Sequence, residues 1–299
     1  MKQKIVLTTD SGMCPNKRLD PIIIPDQITR NDNKSYRDNG KEITTKEILE
    51  DKSHIYKTAA PLLEDYENIF TKLLKEKNDI IHLSLGGGIS SSSINNAILV
   101  ANELNERYKN KIYVIDSCTG SIGGTCYYER AFQQLANSNL PAKQIKEQLE
   151  QIKKQIHTSF YVPDPTGFIK SGRDKSKKHS ISSNIIDLSS KILNMTSLKY
   201  RVDFHENGDL FLKKIFRSSK HQGMLKMIQE IINKNTIYEF ENDICTIANL
   251  EEKDINMKEI YEYINSLNYF KKIIRAEIGN VVAPYGCNDL CGISLVKKK

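Results

Sequence analysis

The chain has 299 residues and the composition of an ordinary globular protein, with 39% hydrophobic and 27% charged residues. No apolar run approaches the roughly 20 residues of a membrane-spanning helix, so the sequence predicts no membrane span. The formal net charge is +7, but the lysines are spread along the chain and no aromatic residues accompany the basic clusters. This pattern favours a solvated surface over a nucleic-acid site. Because the apolar stretch near Met1 is too short for a signal peptide, we expect a cytoplasmic location.

The cysteines are scattered and do not form a recognisable framework. None of them forms a Cys-x-x-Cys pair, and no two histidines have zinc-ligand spacing, so we expect no metal site. Unpaired thiols are typical of proteins from a reducing compartment. The six positions are Cys14, Cys118, Cys126, Cys245, Cys287 and Cys291.

The first third of the chain alternates between apolar strands and helices. Residues 5–9 form a continuous apolar run that ends at Asp10 and Ser11, which is typical of a parallel strand buried on both faces. The further predicted elements are a strand at 21–25, an exposed polar excursion at 30–40, a helix at 44–51 capped by Thr45, an extended loop at 56–61 and an amphipathic helix at 64–77.

The most informative run is a predicted strand, tight turn and helix at 81–103. Gly86, Gly87 and Gly88 are followed, after one isoleucine, by Ser90, Ser91 and two further serines. Hydroxyls and free N–H groups at a helix start attract an anion, whether a phosphate or a carboxylate. The spacing fits neither the dinucleotide fingerprint nor the P-loop. A plain turn capped by serine remains open as the alternative.

Residues 111–117 repeat the first pattern, since an apolar strand ends at Asp116 and Ser117. Three strands that alternate with helices predict a mostly parallel, Rossmann-like sheet with flanking helices. Helices predicted at 126–137 and 144–157 complete this N-terminal α/β domain, which we expect to span 1–157.

The remainder, 158–299, predicts a C-terminal α/β domain with a mixed sheet. Its strongest signal is Asn207-Gly208 between strands at 200–204 and 210–215, which predicts a β-hairpin. The other predicted elements are a basic loop at 170–173, helices at 185–193, 221–233 and 257–267, strands at 244–249 and 271–277, and a final strand ending near 294.

Short motifs occur in a specific order from one end of the chain to the other. They are Thr9-Asp10-Ser11, Lys57-Thr58, the turn at 85–93, Ile115-Asp116-Ser117, the basic loop at 170–173, Leu193-Asn194-Met195, Asn207-Gly208 with 213–220, and Ile278-Gly279 with Val281-Val282. In this order and spacing the chain resembles the DegV family of bacterial lipid-binding proteins, which includes the acyl-binding subunit of fatty acid kinase.

The resemblance implies a two-domain protein that holds a long-chain fatty acid between its domains, with the acyl tail in the second domain. By position it assigns Thr58 and Ser90 to the carboxylate and places Arg217 near the head group. It implies no cofactor other than the bound fatty acid. It also implies a fatty acid kinase catalytic subunit as a candidate partner, and transient contact with a membrane.

The chain departs from the family pattern in this predicted site, and one departure is the run of serines at 90–93, where the family typically has Ser-Gly-Thr-Tyr. Gly86 and Gly87 stand where the family usually has two serines, and Tyr285 stands where it has a histidine. A tyrosine donates a hydrogen bond but gains no positive charge near neutral pH. The full predicted set for the carboxylate is Thr58, Gly87, Gly88, Ser90, Ser91, Arg217 and Tyr285.

An enzyme acting on a small phosphorylated substrate is the alternative function. Asp10 and Asp116 at strand ends would then act as a base or hold a metal, and the glycine–serine turn would hold the phosphate. The sequence has no Gly-x-Ser-x-Gly elbow and no spacing that suggests a triad, so we expect no catalytic residues. His82, inside a predicted strand, is expected to be a core residue.

Overall fold

The computed structural model describes residues 4–164, 198–218, 220–250, 255–286 and 290–299. The predicted basic loop at 170–173 and helix at 185–193 lie outside these ranges. Within them, no helix is both long enough and apolar enough to cross a membrane.

The helices and strands largely follow the predicted order. The helices are α1 Thr45–Glu50, α2 Leu63–Lys75, α3 Ser91–Arg107, α4 Ile122–Asn137, α5 Ala142–Ile152, α6 Lys220–Ile231 and α7 Ile255–Ser266. The strands are β1 Lys4–Asp10, β2 Ile22–Ile24, β3 Gln27–Arg30, β4 Ser35–Arg37, β5 Tyr56–Ala59, β6 Asn78–Ser84, β7 Ile112–Asp116, β8 Ile156–Val162, β9 Leu198–Phe204, β10 Leu210–Arg217, β11 Phe240–Asn249, β12 Lys272–Glu277 and β13 Cys291–Lys297.

A four-stranded parallel sheet in the order β2-β1-β6-β7 forms the N-terminal layer. Successive side chains of β6 point to opposite faces. Ile80 packs with α2 and α3, whereas Ile81 and Leu83 pack with α4 and α5. The predicted α/β class, with a parallel sheet between flanking helices, is therefore confirmed.

The second sheet is mixed and has six strands in the order β10-β9-β8-β13-β11-β12. Its β11–β12 pair is parallel and its other pairs are antiparallel. The Asn207-Gly208 hairpin joins β9 to β10, as predicted, and Gly208 has a φ of +86°. The prediction of a helix up to residue 157 is wrong, because α5 ends at Ile152 and His157 lies in β8. The boundary at 157 remains a prediction, although β8 begins one residue before it.

A third, three-stranded antiparallel sheet in the order β4-β3-β5 was missed by the sequence patterns. It occupies the predicted excursion at 30–40 and the predicted loop at 56–61. Ile28 and Tyr56 of this sheet are buried in one cluster with Phe160 and Val202 of the six-stranded sheet. The helix that follows β4 is capped by Thr44 rather than Thr45, since the Thr44 hydroxyl oxygen accepts from the Glu47 N–H.

Candidate functional site

A cavity lies where the three sheets approach one another. Its volume is about 110 Å³, which is several times the space that one buried water needs. It is lined by Gly12, Asp26, Thr58, Ala59, Leu85, Ile89, Ser90, Gly120, Ser121, Phe160, Val162, Val202, Phe204, Leu210, Val281, Val282, Tyr285 and Leu290.

The wall that the six-stranded sheet contributes is apolar. Phe160 and Val162 alternate along β8, and Val202 and Phe204 alternate along β9, so both strands present one face to the cavity. Leu210 continues this wall across the hairpin. Such a surface offers no hydrogen bonds and favours a hydrocarbon chain over a polar solute.

The polar groups of the cavity come from the N-terminal half and from the loop before β13. The Thr58 and Tyr285 hydroxyl oxygens lie 2.6 Å apart, which joins β5 to that loop. Ser90 immediately precedes α3, yet its side chain does not cap the helix. Its hydroxyl oxygen instead lies 2.8 Å from that of Ser93. The structure thus brings Thr58, Ser90 and Tyr285, three of the predicted residues, to one cavity.

The backbone of the glycine turn is largely committed to the protein itself. The Gly86 N–H donates to the Thr119 carbonyl at 2.8 Å, and the Gly87 N–H donates to Asp116 Oδ1 at 3.1 Å. The Ser90 N–H donates back to the Gly86 carbonyl at 3.0 Å. These groups are not available as a cradle for an anion, because their donors are already used.

The other four predicted residues do not line the cavity. Gly87 packs against the Asp116 carboxylate, where an added Cβ would lie 2.9 Å from Oδ2. Gly88 packs against the turn of the β9–β10 hairpin, where a Cβ would overlap the backbone. Ser91 is exposed on the first turn of α3, and Arg217 is exposed at the end of β10.

Asp10 and Asp116, the two aspartates that the alternative enzyme would use, act as hydrogen-bond acceptors at the ends of β1 and β7 in the four-stranded sheet. Asp10 is fully buried and accepts from the Tyr66 hydroxyl at 2.7 Å, the Ser84 hydroxyl at 2.9 Å and the Leu85 N–H at 2.7 Å. Asp116 accepts from the Gly87 and Cys118 N–H groups. Neither carboxylate lines the cavity. This arrangement does not favour a catalytic role for either residue.

His82 is fully buried beside Asp10, in agreement with its expected place in the core. Its Nδ1 lies 3.0 Å from the Thr8 hydroxyl, and its Nε2 lies 3.3 Å from Asp10 Oδ1 without forming a hydrogen bond. Burial alone would raise the pKa of Asp10. The neighbouring His82 and the hydrogen bonds donated by Tyr66 and Leu85 have the larger combined effect, so the pKa is lowered overall.

Two cavity residues escaped the sequence patterns. Ser121 immediately precedes α4 and has a φ of +51°. The residues next to it in the sequence do not predict this positive φ. Asp26 is 2% exposed, and its Oδ2 accepts from the Ser11 hydroxyl at 2.9 Å and the Gly12 N–H at 2.7 Å. Burial, and then the neighbouring Asp10 carboxylate, raise the pKa of Asp26 well above its ordinary value. Its only sequence signal is an acid directly after the short strand β2 and Pro25.

The described residues contain no group of three or more His, Cys, Asp or Glu side chains arranged to hold a metal ion. The five cysteines within the described ranges are free thiols, and Cys287 lies outside those ranges. Burial raises the pKa of Cys14 to about 12 and of Cys126 to about 11, so neither thiol is activated as a nucleophile.

The model of the family described as "Uncharacterised protein, DegV family" matches residues 4–298. The chain belongs to the DegV family. No curated protein matches this DegV-family chain with significance.

Solved structures of other DegV-family proteins share the fold. A fatty acid binding member from Streptococcus agalactiae has a TM-score of 0.80 at 20% identity, over 99% of this chain and 100% of that one. A member from Thermus thermophilus, described for its fatty acid binding, has a TM-score of 0.79 at 19% identity over 99% and 100%. One from Eubacterium eligens, loaded with heptadecanoic acid, has a TM-score of 0.79 at 16% identity over 98% and 100%.

Proposed function

We propose that this chain binds a long-chain fatty acid, with the carboxylate at Thr58, Ser90 and Tyr285 and the acyl tail against the six-stranded sheet. The observation that carries the proposal is a single cavity with hydroxyls contributed by the N-terminal half and an apolar wall from β8, β9 and β10. An amphiphile with one small polar head fits that division. Fatty acid binding by other DegV-family proteins supports the same ligand class.

The head group would be held by hydroxyl donors rather than by a fixed cation. The described residues that line the cavity include no lysine, arginine or histidine. Hydrogen bonds to an ionised carboxylate are roughly twice as strong as those between neutral groups, so a few hydroxyls in a partly dry site suffice for orientation. Arg217 is exposed on β10, so its charge would attract the anion during its approach but would not contact it in the cavity.

The chain would act as a carrier without chemistry of its own. The two aspartates that the alternative enzyme would use are occupied as acceptors, and the Gly86 and Gly87 N–H groups are donated internally. Both observations weigh against the alternative enzyme on a phosphorylated substrate. In this proposal a cytoplasmic kinase catalytic subunit is the partner that receives the presented carboxylate, and contact with a membrane is transient.

A titration with cis-parinaric acid, a fluorescent fatty acid, tests the ligand class. We expect saturable binding of the acid at one site per chain, and weaker binding of its methyl ester, because the ester lacks the charged oxygens. Competition by unlabelled palmitate would support the proposal. Equal affinity for the acid and the ester, or no saturable binding, would contradict it.

A further inference from the structure

Among the described residues that line the cavity, Asp26 carries the only carboxyl group. Its Oδ2 is fixed by the Ser11 hydroxyl and the Gly12 N–H. No hydrogen bond within the described ranges reaches its Oδ1, although the residue is only 2% exposed. This oxygen is not sealed off from solvent. Because Asp26 lines the cavity, Oδ1 is available for a hydrogen bond to a ligand there.

The register of the three-stranded sheet places Asp26 near Thr58. Thr58 lies directly opposite Ile28, and Asp26 precedes Ile28 by two positions, so both polar side chains share one face. The Asp38 N–H donates to the Asp26 carbonyl at 2.8 Å, which extends the ladder to this residue. Such diagonal neighbours are about 7–8 Å apart. Two O–H···O contacts of about 2.7 Å each, with one carboxylate between them, span a comparable distance.

The surroundings of Asp26 favour its neutral, protonated form. Burial and the like charges of Asp10 and Asp38 raise its pKa well above the ordinary value. No lysine or arginine forms an ion pair with it among the described residues. The titratable groups around it are Asp10, Cys14, Asp38, Tyr66 and Tyr285. Beyond them, His82 acts on Asp10 and Lys17 acts on Asp38.

We propose that Asp26 is a head-group residue of the cavity, which donates its carboxylic acid O–H to the carboxylate of the bound fatty acid from the side opposite Thr58. The inference rests on the proposed function and makes it more specific. Ionised Asp26 would face the ligand carboxylate as a second negative charge with no cation between them. Binding of the fatty acid therefore requires the proton on Asp26.

The test compares affinity for cis-parinaric acid between pH 6 and pH 9 in the wild type and in Asp26→Asn. At these pH values the dissolved ligand is ionised throughout, since ordinary carboxyl pKa values lie near 4. We expect wild-type affinity to fall about tenfold per pH unit once the pH exceeds the pKa of Asp26. In Asp26→Asn the introduced amide would accept the Ser11 and Gly12 hydrogen bonds through its oxygen and offer an N–H to the ligand. The affinity of this variant should therefore stay flat with pH.

The matched control is Asp38→Asn, which removes a carboxyl of the same cluster that does not line the cavity. Its affinity should still fall with pH, as in the wild type. A flat wild-type profile, or the same decline in Asp26→Asn, would overturn the role of Asp26 while saturable binding left the fatty acid proposal intact. A flat profile in Asp38→Asn would also overturn it, because the dependence would then belong to the cluster. Absence of saturable binding at every pH would refute both proposals.

Discussion

The hydroxyl oxygens of Thr58 and Tyr285 lie 2.6 Å apart, although 227 positions separate the two residues in the chain. The contact joins β5 of the small sheet to the loop before β13, and both side chains line the cavity. It therefore holds two hydroxyls at the cavity wall before a ligand arrives. Groups that are already ordered lose less conformational entropy on binding.

Tyr285→Phe removes one hydroxyl from this pair and keeps the ring. A hydrogen bond to a charged group contributes about 1.5–3 kcal/mol, so affinity for an ionised fatty acid should fall roughly 10- to 150-fold. Fluorescence titration with cis-parinaric acid measures the change. Tyr263→Phe is the matched control, because its hydroxyl donates to the Ile232 carbonyl at 2.8 Å away from the cavity. An unchanged affinity in Tyr285→Phe would remove this hydroxyl from the head-group site.

The double substitution Thr58→Ala with Ser90→Ala removes the two hydroxyls that the family resemblance assigns to the carboxylate. The loss should be about 2–5 kcal/mol of binding free energy if water does not replace them, because both would contact a charged group. Calorimetric titration with palmitate gives the difference. Ser91→Ala, one position along but exposed, should bind as the wild type does. If Ser91→Ala weakened binding as much as the double variant, the site would lie at the helix start instead.

The order of the motifs was enough to place Thr58, Ser90 and Tyr285 at one cavity, but other parts of the site could not be predicted from sequence. The Gly86 and Gly87 N–H groups donate to Thr119 and Asp116, which lie about 30 residues further along the chain. Local spacing therefore suggested an anion-binding turn, whereas the fold uses these N–H groups for hydrogen bonds within the protein.

The sheet that closes the cavity was hidden for a different reason. The strands β3, β4 and β5 have only three or four residues each and mix polar with apolar side chains. Their pairing depends on packing against the six-stranded sheet, which local propensity does not report. Only that strand pairing brings Asp26 to the cavity near Thr58.

Gly88→Ala tests the contact between the glycine turn and the hairpin of the six-stranded sheet. An added Cβ would lie within 2.5 Å of the Asp209 nitrogen, so the hairpin would have to move. Overpacking of this kind typically costs about 1–3 kcal/mol of unfolding free energy. Urea denaturation measures it. Gly279→Ala is a milder control, since its Cβ would meet only the Cys14 sulfur at 3.2 Å. Equal stability of Gly88→Ala and the wild type would contradict the close packing.

Asp26 also predicts how the stability of the ligand-free protein depends on pH. Burial and Asp10 raise its folded-state pKa, so between the unfolded value near 4 and that raised value the folded state binds more protons. The Asp26 contribution to stability therefore declines as the pH rises through this window. Asp26→Asn lacks that decline, and its Tm relative to the wild type should increase from pH 4 to pH 7.

Asp51→Asn should change the pH dependence of stability in the opposite direction from Asp26→Asn. Hydrogen bonds from Ser53 and Tyr56 lower the pKa of Asp51, so its contribution is present above pH 4 and is lost as the pH falls. The Tm of Asp51→Asn relative to the wild type should therefore decrease as the pH rises from 2 to 5.

For Asp26→Asn, a Tm relative to the wild type that stayed constant from pH 4 to pH 7 would show that the pKa of the Asp26 carboxyl is not raised.

Native mass spectrometry of the protein with a saturating long-chain fatty acid tests the central claim most directly. We predict one added mass equal to a single fatty acid per chain, which is lost in the Thr58→Ala, Ser90→Ala variant and kept in Ser91→Ala. A spectrum of bare protein under the same conditions, or an adduct that survives unchanged in the double variant, would contradict the account.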